Sequence, residues 1–164
     1  MRIISVAGIA GVLVFALASA LLASVSFTPP GGSQEMMVSS IPLLGQHAAP
    51  KANGTVTVVS DKEKKNCTLT LQAAGLDAKK IYTVQYVKTV KNGKKTQITM
   101  QGVGVAPYTL TVDQKGNAQM MYKPTSCADV LAWPTIEVAV HTDNNPKGTK
   151  MTPVLLGDLS KLPE

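Results

Sequence analysis

Two histidines, two cysteines and six of the methionines are the residues of this 164-residue chain best suited to bind a metal ion: His47, His141, Cys67, Cys127, Met36, Met37, Met100, Met120, Met121 and Met151. Imidazole nitrogen and sulfur are ligands that suit copper. Blue-copper sites combine two histidines, one cysteine and a weak axial methionine, most of them close together on one loop. Here a whole strand-like segment separates Cys127 from His141. The spacing therefore does not favour a specific metal site, and copper binding through His141 and His47 is kept as an alternative.

His141 ends an apolar alternation that starts at Ile136 and is typical of a strand. Because side chains alternate between the two faces of a strand, His141 falls off the face shared by Ile136, Val138 and Val140. We expect the imidazole to point to the other side of the sheet or to solvent. An Asp-Asn-Asn-Pro turn follows, so the sequence favours a histidine that caps this turn by a hydrogen bond over a histidine that binds a ligand.

No pattern of catalytic residues accompanies these side chains. The sequence contains no G-x-S-x-G elbow, no P-loop and no G-x-G-x-x-G that follows a strand. Neither histidine has a Ser, Cys or Asp at a spacing that is typical of a triad. We therefore expect no enzymatic activity, no catalytic residue and no cofactor.

The N-terminus indicates export. Arg2 is followed by an uncharged stretch from Ile3 to Ser26 with small residues in A-x-A spacing, which is typical of a secretory signal peptide. The stretch also reaches the length of about 20 apolar residues that a membrane-spanning helix needs. We predict an N-terminal hydrophobic helix over residues 1–26, either a signal peptide or a retained membrane anchor. In both cases the rest of the chain is extracytoplasmic, which means secreted, periplasmic or at the cell surface.

Cys67 and Cys127 are the only cysteines. In an exported chain two cysteines most simply form one structural disulfide. Closing a loop of this length would stabilise the fold by about 4 kcal/mol. Free or metal-binding thiols are the alternative. Neither cysteine lies in a C-x-x-C motif, so a redox-active pair is not expected.

Composition divides the remainder of the chain. Residues 27–52 are rich in Pro, Gly, Ser, Ala and Gln and show no sustained strand or helix periodicity, which predicts a flexible linker. Residues 53–159 are predicted to form one domain, and residues 160–164 a tail.

The net charge is +6 and the lysines are scattered over predicted turns, with Arg2 as the only arginine. This pattern does not favour nucleic acid as a partner, since such surfaces use arginine and stacked aromatic residues.

From Gly54 onward, apolar and polar residues alternate in short runs bounded by turn residues, which is typical of strands. Asn92-Gly93 suits a tight type I′ hairpin. A second hairpin is expected around Asp113–Gly116, and Ser126 is a predicted N-cap of a short helical turn. The predicted strands cover residues 55–60, 67–73, 82–91, 96–101, 108–112, 118–122, 136–140 and 154–156. Short strands without a long helix predict an all-β fold, an antiparallel two-sheet β-sandwich of immunoglobulin-like type.

Val138-Ala-Val-His-Thr142, followed by Asn145-Pro146 and Gly148, resembles the C-terminal signature of the chordin-like CHRD domain family. Gly54-Thr-Val-Thr-Val and the run from Leu69 to Leu76 look like the early strands of that family. The resemblance implies an extracellular antiparallel β domain without an established catalytic role, and it marks His141 as a motif position.

The chain departs from the family pattern in three places. Thr149 stands where the family prefers glutamate, and Leu156-Gly157-Asp158-Leu159 arrives late in place of R-G-Q-L. Val84-Gln85-Tyr86 replaces a mid-domain histidine pair, which is the family feature most suggestive of a metal.

These observations predict an exported, non-catalytic β-sandwich that acts in binding or structural assembly at the cell surface or in the periplasm. The expected partner is a protein or a cell-envelope component, and the membrane is contacted only through an uncleaved N-terminal segment. Exposed edge strands would also allow homo-oligomers by strand addition. The alternative is an extracytoplasmic copper-binding or redox protein that uses His141 and sulfur ligands.

Overall fold

The computed structural model describes residues 25–27, 36–93 and 95–162. Within these ranges the chain is nearly all β, and its strands form one antiparallel, curled sheet. The strands in chain order are β1 Val25–Phe27, β2 Met36–Gly45, β3 Asn53–Asp61, β4 Cys67–Ala74, β5 Ile81–Asn92, β6 Lys95–Gly102, β7 Thr109–Leu110, β8 Ala118–Tyr122, β9 Thr135–His141 and β10 Met151–Asp158. A short helix, α1 Cys127–Leu131, precedes β9, and a 3-10 turn, Leu159–Lys161, follows β10.

The curl of the sheet follows from its strand order, β6-β5-β9-β10-β2-β3-β4-β8. Strand β7 pairs with β5, and Val112, just beyond β7, forms a bridge with Ala118 at the start of β8. The β7 segment thereby links the β5 end of the sheet to its β8 end. Strand β1 lies off this path and pairs with β2.

The curled sheet encloses one hydrophobic core. Alternate side chains point inward, as in β5, where Tyr82, Val84 and Tyr86 are all buried. The other strands add buried aliphatic residues, among them Ile41, Leu43, Val56, Leu69, Leu71, Ile136, Val138, Val154 and Leu155. Burial of one such side chain contributes about 1.5–3 kcal/mol, so this core is the main source of stability for the elements that carry the candidate sites.

The predicted strand positions are confirmed for β3 to β10, because each of these strands overlaps a predicted segment. The predicted N-cap is confirmed as well: Ser126 Oγ accepts a hydrogen bond from the Asp129 amide, and Asp129 accepts one from the Ser126 amide. Asn92 pairs with Lys95, so the first hairpin turns one residue later than predicted, with Gly93 at a φ of 62°.

The predicted division into two sheets is not confirmed. Strands β6, β5, β9 and β10 form one run, strands β3, β4 and β8 form another, and β2 lies between the two runs. β2 pairs with β10 at Leu44 and Gly45 and with β3 along nearly its whole length. The two runs are therefore parts of one hydrogen-bonded sheet.

The linker predicted over residues 27–52 is wrong for Met36–Gly45, which form the central strand β2. Ile41 and Leu43 of this strand are buried in the core, whereas Pro42 and Leu44 are exposed. Proline is uncommon in central strands. Pro42 and the Ser- and Gly-containing flanks therefore made the alternation of Ile41 and Leu43 with exposed residues difficult to recognise in the sequence. The folded domain therefore begins before the predicted boundary at residue 53.

Both predicted terminal segments extend outside the described residues. The predicted hydrophobic helix covers residues 1–26, of which residues 1–24 lie outside the described ranges. Val25 and Ser26 belong to β1. No helix in the described part of the chain is long and apolar enough to cross a membrane. Of the predicted tail, Leu162 is buried against the core.

Candidate functional site

His141 is the last residue of β9, and its side chain is only 1% exposed. The strand pairing places it opposite Ile81 of β5 and Met151 of β10. Its Nε2 and the hydroxyl of Thr83 share a hydrogen bond of 3.0 Å. Its Nδ1 is buried and has no hydrogen-bond partner among the described residues. His141 is therefore an interior group whose hydrogen-bonding capacity is half used.

The prediction that the His141 side chain caps the following turn is wrong. The turn is held by its own groups, since the Asn144 amide donates to the His141 carbonyl at 3.3 Å and the Asn145 amide donates to Asp143 Oδ1 at 3.1 Å. The imidazole instead bonds to Thr83, which lies 58 residues away in the sequence. The sequence does not show this partner, because it depends on the register between β5 and β9.

A thioether lies beside the same hydroxyl. The sulfur of Met151 is 3.8 Å from Thr83 Oγ1, so one threonine contacts both an imidazole and a sulfur atom. His47 is exposed in the turn after β2, and it has no hydrogen bond to this cluster in the described structure. The ranges that the structure describes contain no group of three or more His, Cys, Asp or Glu side chains that could hold a metal ion.

A second buried polar pair lies nearby on the same face of the sheet as His141. Gln85 Nε2 donates a hydrogen bond of 2.8 Å to Glu137 Oε1, and both residues are buried. Burial raises the pKa of Glu137, and the hydrogen bond from Gln85 partly opposes this shift. The pair connects β5 to β9 through a buried hydrogen bond.

Cys67 at the start of β4 and Cys127 at the start of α1 are both buried free thiols. Burial raises the pKa of Cys67, and a hydrogen bond with the Cys127 side chain raises it further. The Cys127 thiol also donates to the Asn66 carbonyl at 3.4 Å. The fold thus places the two thiols near each other but not at the distance of a disulfide bond, and the disulfide between them stays a prediction.

An aromatic groove of about 340 Å³ is lined by residues of β5, β6, β8 and the segment that contains α1. Trp133 stacks on Tyr86 with ring centroids 5.9 Å apart. The hydroxyl of Tyr86 is buried without a hydrogen-bond partner among the described residues, and burial raises the pKa of this phenol. The remaining lining residues are Gln101, Tyr122, Pro124, Thr125, Asp129 and Ala132. The sequence indicated the individual strands and the short helix but not this groove.

The open side of β6, which we call the β6 edge, lies at one end of the described sheet. Among the described strands β6 is first in the sheet order and pairs with β5 alone along its length. The β5–β9 pairing ends at Val87 and Thr135, so the rest of the β5–β6 hairpin extends beyond β9. Ile98 and Met100 on β6 are 59% and 51% exposed.

Backbone hydrogen bonds show which groups of β6 face outward. The Val84 carbonyl accepts from the Val103 amide at 2.9 Å, on the side of β5 where β6 lies. Bonded pairs alternate with non-bonded pairs along an antiparallel ladder. The bonded pairs are therefore Tyr86 with Gln101, Lys88 with Thr99 and Val90 with Gln97. The backbone groups of the intervening residues point to the β6 edge: Thr96, Ile98 and Met100.

No protein-family model matches the chain, and no curated protein matches it. The resemblance to the chordin-like CHRD family accordingly stays a prediction.

Proposed function

We propose that this protein is an extracytoplasmic domain that acts in binding or structural assembly, without catalysis, and that partners add a strand to the β6 edge. The observation that carries the proposal is the exposure of β6, where every residue from Lys95 to Gln101 is exposed. An open edge presents unpaired N–H and C=O groups in the spacing that another strand requires.

The composition of β6 supports this role. Natural edge strands are usually protected by proline, by bulges, by several charges or by shortness. β6 has eight residues, regular pairing with β5, no proline and a single charged residue, Lys95. Its exposed Ile98 and Met100 would add apolar contact to the backbone hydrogen bonds of an added strand.

The position of the buried polar residues favours binding over catalysis. His141, Thr83 and Glu137 are all buried within the sheet. A general acid or base must come within hydrogen-bond reach of the group that it protonates or deprotonates. In our proposal these buried side chains stabilise the packing of β5, β9 and β10 and do not take part in catalysis.

The location, the finer architecture and the family are part of the proposal. Arg2 and the uncharged stretch from Ile3 to Ser26 support a hydrophobic helix over residues 1–26 that directs export or anchors the chain. The strand runs β6-β5-β9-β10 and β3-β4-β8 would face each other as the two layers of a sandwich, as the CHRD resemblance also implies. The partner would be a protein or another cell-envelope component, including a second copy of the chain.

The test compares assemblies in the extracytoplasmic fraction of producing cells. Sedimentation of the wild-type protein and of Ile98→Lys shows whether assembly requires the β6 edge. Met121→Lys on β8 is the matched control. Met121 is 71% exposed, so the control adds the same charge to another exposed strand. We expect the wild type and Met121→Lys to sediment as an assembly and Ile98→Lys as a monomer. A cytoplasmic protein, or equal sedimentation of all three proteins, would contradict the proposal.

Copper binding is the second candidate, and one observation favours it. Buried His141, whose Nδ1 has no partner among the described residues, and the thioether of Met151 belong to one cluster around Thr83. Imidazole and thioether suit Cu(I). Metal analysis after incubation of the purified chain with Cu(I) tests it. Stoichiometric copper that is lost in His141→Ala and in Met151→Leu, but kept in His47→Ala, would support this function. Absence of bound copper, or equal binding by all variants, would exclude it.

A further inference from the structure

We infer that the strand added to the β6 edge is the β6 of a second copy of this chain, paired antiparallel with its centre at Ile98. This inference rests on the proposed strand addition and names its partner. A twofold axis would relate the two copies, so that each presents the same surface to the other.

The outward backbone groups determine the register. Thr96, Ile98 and Met100 direct their N–H and C=O groups to the open side, as the bonding pattern between β5 and β6 shows. Antiparallel pairing about Ile98 places this residue opposite its own copy and Thr96 opposite Met100 of the second copy. All the outward groups of these three residues then have bonded partners, since these pairs occupy the bonded positions of an antiparallel ladder.

The same register keeps like charges apart. The hairpin carries Lys88, Lys91 and Lys95 toward its tip, and Lys95 is the only charged residue of β6. Antiparallel pairing about Ile98 places Lys95 opposite Gln101 of the second copy, and the two hairpin tips point in opposite directions. A parallel arrangement would instead bring the lysines of both tips together, and like charges that face each other are unfavourable. The net charge of the chain is +6, which makes such separation a requirement for self-association.

The exposed apolar side chains of β6 are covered in this arrangement. Ile98 and Met100 project from the same face of the hairpin, where Met100 lies opposite the half-buried Val87. In the dimer, the two Ile98 side chains are cross-strand neighbours, and each Met100 packs beside Thr96 of the second copy. Cross-strand pairs of this kind contribute about 0.2–1 kcal/mol each.

The other end of the sheet order is less suitable for the same pairing. Strand β8 has five residues, and Ala118 at its start is already bridged by Val112. Fewer consecutive backbone groups therefore remain for an added strand. This difference assigns the self-association to β6 and makes Met121 of β8 the appropriate control position.

Two matched double variants test the register. In Thr96→Glu with Met100→Lys, called the Glu/Lys variant, each introduced glutamate would face an introduced lysine of the second copy. In Thr96→Glu with Met100→Glu, called the Glu/Glu variant, each introduced glutamate would face another glutamate. Sedimentation velocity of the full-length chain over a range of concentrations should show a wild-type dimer. We expect the Glu/Lys variant to keep it and the Glu/Glu variant to weaken it at least about tenfold.

The controls separate self-pairing from other association. All variants carry the same N-terminal segment, so association through that segment would not distinguish them. Thermal unfolding followed by circular dichroism checks that both double variants fold, and Ile98→Lys supplies a single-site variant in case one does not. Met121→Lys should dimerise as the wild type does. A wild type that stays monomeric, or Glu/Lys and Glu/Glu variants with equal dissociation constants, would overturn the inference.

The outcome also separates this inference from the proposed function. If the purified chain is monomeric but its assembly in the extracytoplasmic fraction still depends on Ile98, the partner is a different protein and only the second-copy inference fails. If neither measurement depends on Ile98, both proposals fail.

Discussion

The hydroxyl of Thr83 lies 3.0 Å from Nε2 of His141, and this contact connects β5 to β9 inside the protein. His141 is buried and its other ring nitrogen has no partner among the described residues. The Thr83 hydroxyl therefore supplies the hydrogen bond that stabilises the buried His141 ring.

Thr83→Val should destabilise the fold. Valine keeps the branched shape of threonine but removes the hydroxyl, which leaves Nε2 of His141 buried without its partner. Loss of such a partner typically costs about 1–3 kcal/mol. Urea unfolding of Thr83→Val measures the change, and Thr89→Val at an exposed position of β5 is the matched control. Equal unfolding free energies for the two variants would show that the hydrogen bond contributes nothing.

Glu137→Gln should stabilise the protein at neutral pH. Burial raises the pKa of Glu137 above its ordinary value of 4.5. The folded state therefore binds the proton more tightly than the unfolded state, and the resulting stability is present below pH 4.5 and lost as the pH rises through the folded pKa. Glutamine keeps an oxygen that can accept from Gln85 but carries no charge.

Unfolding free energies of wild type and Glu137→Gln should therefore converge in acid and separate as the pH rises. Glu63→Gln, at an exposed position of the loop between β3 and β4, is the matched control and should not show this separation. A wild type that remains as stable as Glu137→Gln at neutral pH would contradict the assigned effect of burial.

Oxidation should join Cys67 to Cys127. The two buried thiols interact, although they lie farther apart than a disulfide bond requires, and the proposed export would bring the chain into oxidising conditions. Intact mass of the exported protein under non-reducing conditions should be lower by two hydrogen atoms than after reduction. The oxidised form should be more stable than the reduced form by about 2–4 kcal/mol. Two free thiols in the exported protein would contradict the predicted bond.

Leu43→Ala should destabilise the fold, because β2 is an integral strand and not a linker. Leu43 is 1% exposed and Leu44 is 63% exposed, so neighbouring leucines provide a test and its control. Truncation of a buried leucine typically costs about 2–5 kcal/mol, whereas Leu44→Ala should stay within about 0.5 kcal/mol of wild type. Similar small effects at both positions would indicate that this segment does not pack in the core.

The strands of the fold were largely predictable because alternation is a local property. β4 shows it plainly, with Cys67, Leu69 and Leu71 buried and the residues between them partly exposed. β2 was missed because its alternation is limited to Ile41 and Leu43 around Pro42, within a segment whose composition is typical of a linker. The predicted division into two sheets is not confirmed, since β2 connects the two strand runs within one hydrogen-bonded sheet.

The candidate sites depend on contacts between distant parts of the chain, and these were not predictable from local patterns. Thr83 and His141 meet only because β5 and β9 pair in one particular register. The sequence of β6 shows an alternation from Thr96 to Gln101 but not that the strand has no second neighbour in the described sheet. Exposure of Ile98 and Met100 is therefore information that the fold adds to the sequence.

Amide hydrogen exchange at β6 tests the central claim most directly. The outward amides of Thr96, Ile98 and Met100 should exchange rapidly in dilute protein and slow down as the concentration rises, because a second strand then accepts their hydrogen bonds. The amides of Gln97 and Thr99, which bond to β5, supply the internal reference and should change little. Rapid exchange of the three outward amides at every concentration and in the extracytoplasmic assembly would contradict strand addition at the β6 edge.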